Sequence, residues 1–250
     1  MVQGAMGIVN LEGPVSGPLP AKKELRLWNA PAALGGLAAV QIKVTGIANN
    51  HAHDAGAGAP EETAKSLREH GMLPAGLGAG PAFFQVNGIS ITVTAHDLTQ
   101  GVPENLEADL VAARQKSEVL IATFHVTGPP SYLPRPELRR AVEIAYHAGA
   151  NVIAAHGTHA LGPVERRSHA VIAWGLGNLV FACDCTQEED AMLLRIVVQP
   201  DKVVRAEVLP LKAGINNRRA SPADDPAGIF DLLEALGSSK LERHGDRAEF

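Results

Sequence analysis

Three apolar runs in this chain are each followed at once by histidine or by Asn-Asn-His, and no other feature narrows its folding as much. Val119 to Phe124 leads into His125, and Asn151 to Ala155 leads into His156. The β-rich run Val40 to Ala48 leads into Asn49-Asn50-His51, with Asp54 three residues further on. Buried strands that deliver polar side chains just past their C-terminal ends are the hallmark of a ligand site on an α/β sheet. Imidazoles and amides supplied there by separate strands imply a divalent metal as the reason for their convergence.

Around these runs, strands alternate with helices. Asn87-Gly88 between Phe83–Val86 and Ile89–Ala95 predicts a tight hairpin. Pro60 to His70, Glu104 to Lys116 and Pro136 to His147 carry helix formers with stop signals behind them. Leu193–Val198 and Val203–Leu209 alternate around Pro200-Asp201, and Ile229–Leu236 predicts a surface helix before a frayed last ten residues. This order predicts an α/β fold with a mixed sheet or sheet pair flanked by helices. Two segments are expected: a domain over residues 1–213, and a C-terminal extension over 214–250 with one surface helix and a frayed tail.

Charge and composition exclude some functions. With 250 residues, 46% hydrophobic, and a net charge of −5, the chain lacks the basic stripe of a nucleic-acid binder. Its basic pairs (Lys22-Lys23, Arg139-Arg140, Arg166-Arg167, Arg218-Arg219) are scattered. Aromatic residues at 4% are too few for a base-stacking platform. No stretch is long and apolar enough for a membrane span, so the chain as written is expected in the cytoplasm, an expectation that lapses if the natural N-terminus is longer. Cys183 and Cys185 are spaced too closely for a mutual disulfide and read as reduced thiols rather than a soft-metal site.

Among the histidines, His53, His70, His147 and His244 lack partner motifs, and His169 reads as structural. His96, at a strand end, is ambiguous. Asn50 offers a neutral hard oxygen, while the adjacent His51 would point elsewhere and act on protons, its ring held by Asp54. The alternative makes Asn49-Asn50 turn formers and Asp54 a helix cap. His156-Gly157-Thr158-His159 brings two imidazoles around a glycine turn. Glu12, in the Gly/Pro-rich loop after Asn10, is the carboxylate best placed to hold cations.

Asn10-Leu11-Glu12, Ala48-Asn49-Asn50-His51 with Asp54 and Gly56, Ala155-His156-Gly157-Thr158-His159, and Trp174-Gly175-Leu176-Gly177-Asn178-Leu179-Val180-Phe181 occur in that order. Together they resemble the bacterial capsule-synthesis family of the CapA type, associated with poly-γ-glutamate, which is similar to the calcineurin-like metallophosphoesterases. The resemblance runs from about Asn10 to about Leu211. It implies a two-sheet sandwich flanked by helices and a centre for one or two divalent ions (Mn, Fe or Zn). Glu12 would bridge; Asn50, His125 and His156 would complete one metal site; His159 would serve the second. His51, with Asp54, would be the proton donor, and Asn178 a structural turn residue. The implied activity is phosphoesterase-like hydrolysis of a small-molecule or polymer substrate, with capsule-synthesis proteins as partners. The alternatives are a non-catalytic polymer-assembly factor on the same fold, or a truncated product with little activity. The chain departs from the family in three places. The opening strand ending in Gly-Asp is lacking, and with it the second metal's aspartate. Val126-Thr127-Gly128-Pro129 replaces a Trp-Gly-acidic segment, and Thr158 stands where proline is usual.

Overall fold

The computed structural model describes residues 5–20, 24–182, 189–216 and 218–250. Cys183, Cys185 and the pair Lys22-Lys23 lie outside the described residues. The chain runs β1 (Gly7–Asn10), α1 (Ala32–Ala39), β2 (Ile42–Gly46), α2 (Ala59–Glu69), β3 (Leu73–Ala75), β4 (Ala82–Val86), β5 (Ile89–Asp97), α3 (Leu106–Arg114) and β6 (Val119–His125). It continues through α4 (Pro136–His147), β7 (Val152–His156), β8 (Val164–Arg167), β9 (Ala170–Ala173), β10 (Val180–Phe181), β11 (Asp190–Gln199) and β12 (Lys202–Lys212). The last elements are β13 (Gly214–Ile215), β14 (Ser221–Pro222), α5 (Pro226–Ala235), β15 (Glu242–Arg243) and β16 (Ala248–Glu249).

A six-stranded sheet of order β4-β5-β6-β7-β9-β8 forms the centre. Its β5, β6, β7 and β9 are parallel, and β4 and β8 are antiparallel edges. The β4–β5 hairpin turns through Asn87 and Gly88, both at positive φ (50° and 84°), the backbone that a two-residue turn requires. Side chains alternate across the sheet. On one face, Leu120, Ala122, Phe124 and Ile153 pack beneath α3 and α4 through Leu106, Leu110, Leu138 and Val142.

On the other face, Val93, Ala95 and Ile121 meet Val44 and Ala75 of the parallel sheet β1-β2-β3. Farther along it, Val152 and Val171 meet Val203 and Ala206 of β12, in a second sheet with β11, β14, β15 and β16. Leu34 of α1 and Leu67 of α2 cover the outer side of β1–β3. The result is the expected sandwich with helices outside. Its core residues are the apolar runs themselves, which is why those runs were legible.

The last ten residues, expected to fray, instead form a hairpin. β16 pairs with β12, and Ala248 is fully buried beside Ile229, Phe230 and Leu233 of α5. The short polar segment closes an apolar cluster, a tertiary gain that local sequence does not signal. Among the described residues, no helix is long and apolar enough to cross a membrane.

Candidate metal centre

The two sheets meet at the strand ends, and the polar residues gather along that seam. In register, Asp97 of β5, His125 of β6 and His156 of β7 are neighbours. Their parity is that of Val93, Ala95 and Ile121, so they share the face turned toward the other sheets. From the opposite side come Asn50 and His51, just past β2, and Glu12, just past β1.

His125 is fully buried and joins the halves. Its Nε2 lies 2.7 Å from Asn50 Oδ1, 3.8 Å from Glu12 Oε1, and its Nδ1 lies 2.9 Å from His156 Nδ1. Burial, reinforced by the positive charge that His156, His159 and His51 would carry, pushes His125 down to about 2. Burial alone pushes His156 down to about 3. Both rings are therefore neutral at pH 7, each with one N–H and one lone pair. Because an amide oxygen only accepts, His125 donates from Nε2 to Asn50. His156 then donates from Nδ1 to the His125 Nδ1 lone pair. The remaining lone pair, on His156 Nε2, is buried and finds no partner among the described residues.

His51 has a different setting. It donates from Nδ1 to Asp54 Oδ2 at 2.7 Å, and its Nε2 lies 4.0 Å from Glu12 Oε1. Asp54 Oδ2 also accepts the Leu27 backbone N–H at 2.6 Å. Burial raises the Glu12 carboxyl above the usual carboxylate range. His159 and His51 pull it back, and Asp54 and Asp97 push it further up. His159, at φ 54°, donates from Nδ1 to Asn178 Oδ1 at 2.9 Å and sets its ring edge-on to Phe181, 5.4 Å between centroids.

The donor set of one carboxylate, one amide oxygen and two neutral imidazoles suits a first-row divalent ion. Metal bonds of about 2.0–2.2 Å place neighbouring donors roughly 3–3.5 Å apart. The 2.7 and 3.8 Å separations around His125 Nε2 bracket that range, and the unpartnered Nε2 of His156 is a spare lone pair. The chemistry of the residues therefore fits a cation. As they stand, the side chains close on one another: among the described residues, no three His, Cys, Asp or Glu side chains are arranged to grip one ion.

The family described as bacterial capsule synthesis protein PGA_cap matches residues 2–183. The chain belongs to that family. The PGA biosynthesis protein CapA of Bacillus subtilis (strain 168) is 26% identical over 239 residues, covering 86% of this chain and 62% of the relative. The capsule biosynthesis protein CapA of Bacillus anthracis is 21% identical over 199 residues, covering 67% of this chain and 47% of the relative. The chain thus spans between about half and three-fifths of the lengths of these CapA relatives. In fold, it is similar to a Staphylococcus aureus protein provisionally assigned as a 5'-nucleotidase and solved with α-ketoglutarate. That similarity has a TM-score of 0.51 at 12% identity and covers 82% of this chain and 44% of that one. This PGA_cap member accordingly shares the fold of that protein.

Of the residues singled out from the sequence, Glu12, Asn50, His51, Asp54, His125 and His156 stand together. His159 stands one step aside, against the Trp174–Phe181 motif. Asn178, read as a turn residue, is its hydrogen-bond partner. His53, His70, His147 and His244 are exposed, and His169 stacks on Tyr146 at 4.6 Å. His96 faces the helices beside Phe124, where burial lowers it to about 4.

Two residues were missed. Asp97 extends the His125–His156 row, and only strand register reveals it. Asn49 is buried and holds the Glu12 loop: its Nδ2 donates to Leu11 O at 3.0 Å, and its Oδ1 accepts Gly13 N–H at 3.3 Å. The doubled asparagine in Asn49-Asn50 was the signal for it.

Proposed function

We propose that this PGA_cap member is a metal-dependent, phosphoesterase-like hydrolase acting in capsule polymer synthesis. The reading rests above all on His125 Nε2 standing 2.7 Å from Asn50 Oδ1 and 3.8 Å from Glu12 Oε1, three donors from three separate strand ends. Glu12, Asn50, His125 and His156 would hold one divalent ion (Mn, Fe or Zn), and His159 would serve a second. Such an ion, when bound, supplies Lewis acidity toward a phosphoryl oxygen.

The protein's own groups divide the remaining work. Neutral His125 and His156 add no positive charge, and both would offer Nε2 lone pairs once an ion breaks the Nδ1–Nδ1 hydrogen bond between them. Glu12 supplies negative charge. His51, with Nδ1–H committed to Asp54, keeps Nε2 to take up a proton and deliver it to a leaving oxygen. Asp54 fixes the orientation and tautomer of the ring.

Titration of the protein with Mn²⁺, Fe²⁺ or Zn²⁺, followed by turnover of an aryl phosphate, tests the proposal. Stoichiometric binding with hydrolysis supports it, and binding without turnover of any phosphate or polymer ester counts against it. A second reading, a non-catalytic factor that binds capsule polymer, is favoured by one observation: the Nδ1 atoms of His125 and His156 are spent on each other. Metal-independent binding of an acidic polymer would support that reading.

A further inference from the structure

The Gly/Pro-rich loop after Glu12 leaves the seam and returns to it, and its described arms, 13–20 and 24–31, are tied at their base by Asn29 and farther out by Arg26 Nη1 donating to Pro20 O at 3.4 Å. Asn29 donates its backbone N–H to Pro14 O at 2.8 Å and accepts Ser16 N–H at 3.0 Å. Both protons of its side-chain amide are used as well: Nδ2 donates to Glu12 O and to Gly13 O, each at 3.0 Å. Asn49 grips the same stretch from the opposite side through Leu11 O and Gly13 N. Leu11 N–H goes to Gly46 O at 2.9 Å, and Val15 N–H goes to Thr63 Oγ1 of α2 at 2.9 Å.

The backbone that carries the Glu12 carboxylate is therefore held from three directions. Two residues before Asn29, the returning arm presents Leu27 N–H to Asp54, the carboxylate that orients His51. One tie thus sets two parts of the site. It fixes the backbone of Glu12, and it fixes the arm that fixes Asp54.

We infer that Asn29 is a positioning residue for both Glu12 and the His51–Asp54 pair, acting through the neck of the 13–29 loop. The inference rests on the proposed function for its catalytic meaning but not for its geometry. A side-chain carboxylate at position 29 has the size of the amide and no proton to give, and it would face two carbonyl oxygens. Donor chemistry at that position, rather than bulk, is what the tie requires.

The test compares Asn29→Asp and Asn29→Ala with the unmodified protein and with Leu233→Ala, a core change remote from the seam. Two quantities are measured: the dissociation constant for Mn²⁺ alone by calorimetry, and the NMR signal of the His51 Nδ1–H proton. Asn29→Ala should weaken Mn²⁺ by about tenfold, within the range for groups that orient ligands. Asn29→Asp should weaken it further and should broaden or lose the His51 signal. Leu233→Ala should lower Tm and leave both readouts unchanged. If Asn29→Asp fails to fold, Asn29→Ala and Asn29→Ser carry the comparison against Leu233→Ala. Unmodified protein that binds no Mn²⁺ would overturn the metal reading, and the His51 signal alone would then decide the role of Asn29. Retention of wild-type affinity and of the His51 signal in Asn29→Asp, or equal loss in Leu233→Ala, would overturn the inference.

Discussion

His125 and His51 sit a few ångströms from the same glutamate, and the proposed function gives them opposite tasks. His125 is carried on a central strand, fully buried, and faces another imidazole and an amide oxygen. His51 is carried past β2 and faces a carboxylate whose other bond comes from a loop backbone. Burial among other imidazoles keeps the first ring neutral, which suits a lone-pair donor. A carboxylate partner takes the Nδ1–H of the second ring and leaves its Nε2 for a proton, which suits a proton carrier. The two environments, not the residue type, divide the roles.

The sharpest way to break this comparison is to remove each ring. His125→Ala should abolish measurable Mn²⁺ binding and reduce aryl phosphate turnover to background. His51→Ala should cut turnover by about 10²- to 10⁴-fold with metal stoichiometry retained. Equal metal loss in both variants would erase the distinction.

The next largest effect is expected at Gly157. Its φ is 78°, and a Cβ there would run into Val126 O and lie 2.7 Å from His125 Cε1. Gly157→Ala should cost about 1–3 kcal/mol in denaturant unfolding from the backbone conformation alone, and it should also weaken Mn²⁺ by displacing the His125 ring. A stable variant with intact affinity would show that the His125 pocket is softer than its burial implies.

Acid probes the two buried imidazoles, His125 and His156, without mutation. His125 and His156 fall from the ordinary 6.5 to about 2 and about 3 in the folded protein. The unfolded chain therefore binds more protons across the window from about 6.5 to about 3, and their contribution to stability is lost as pH falls through it. Glu12, raised in the folded state, works in the opposite direction over a part of that window above 4.5. Tm of the metal-free protein should decline from pH 7 to pH 4, and His156→Asn should flatten the decline. An unchanged slope in His156→Asn would contradict a neutral buried ring.

The smallest expected effect lies at Asn178. Asn178→Ala frees the His159 ring from its 2.9 Å hydrogen bond, so a second equivalent of Mn²⁺ should bind more weakly while the first is little changed. A two-site calorimetric titration reads this directly.

Much of the scaffold was legible because each apolar run is also a core strand: Val119–Phe124 and Asn151–Ala155 required only their length and flanks. Asn87-Gly88 marked its hairpin through backbone chemistry alone. Strand β8 escaped notice because Glu165, Arg166 and Arg167 make an edge strand that reads as polar surface. Strand β3 is three residues long and contains Pro74. Along the site, histidines after strands were visible, but Asp97 was not, since its place beside His125 depends on register between β5 and β6. Asn29 was invisible for a related reason: its partners lie 16 and 17 positions away, and nothing local announces a loop neck.

The seam between the sheets also governs timing. Glu12 and Asn50 belong to one layer and His125 and His156 to another, so neither layer alone assembles the donor set. Whatever order the layers fold in, capture of the proposed ion would wait until they dock. A cation captured at that moment holds the docked form against reopening by RT ln(1 + [M]/Kd). Loading would then act as a latch on the final folding event, and metal-starved protein should open first along this seam.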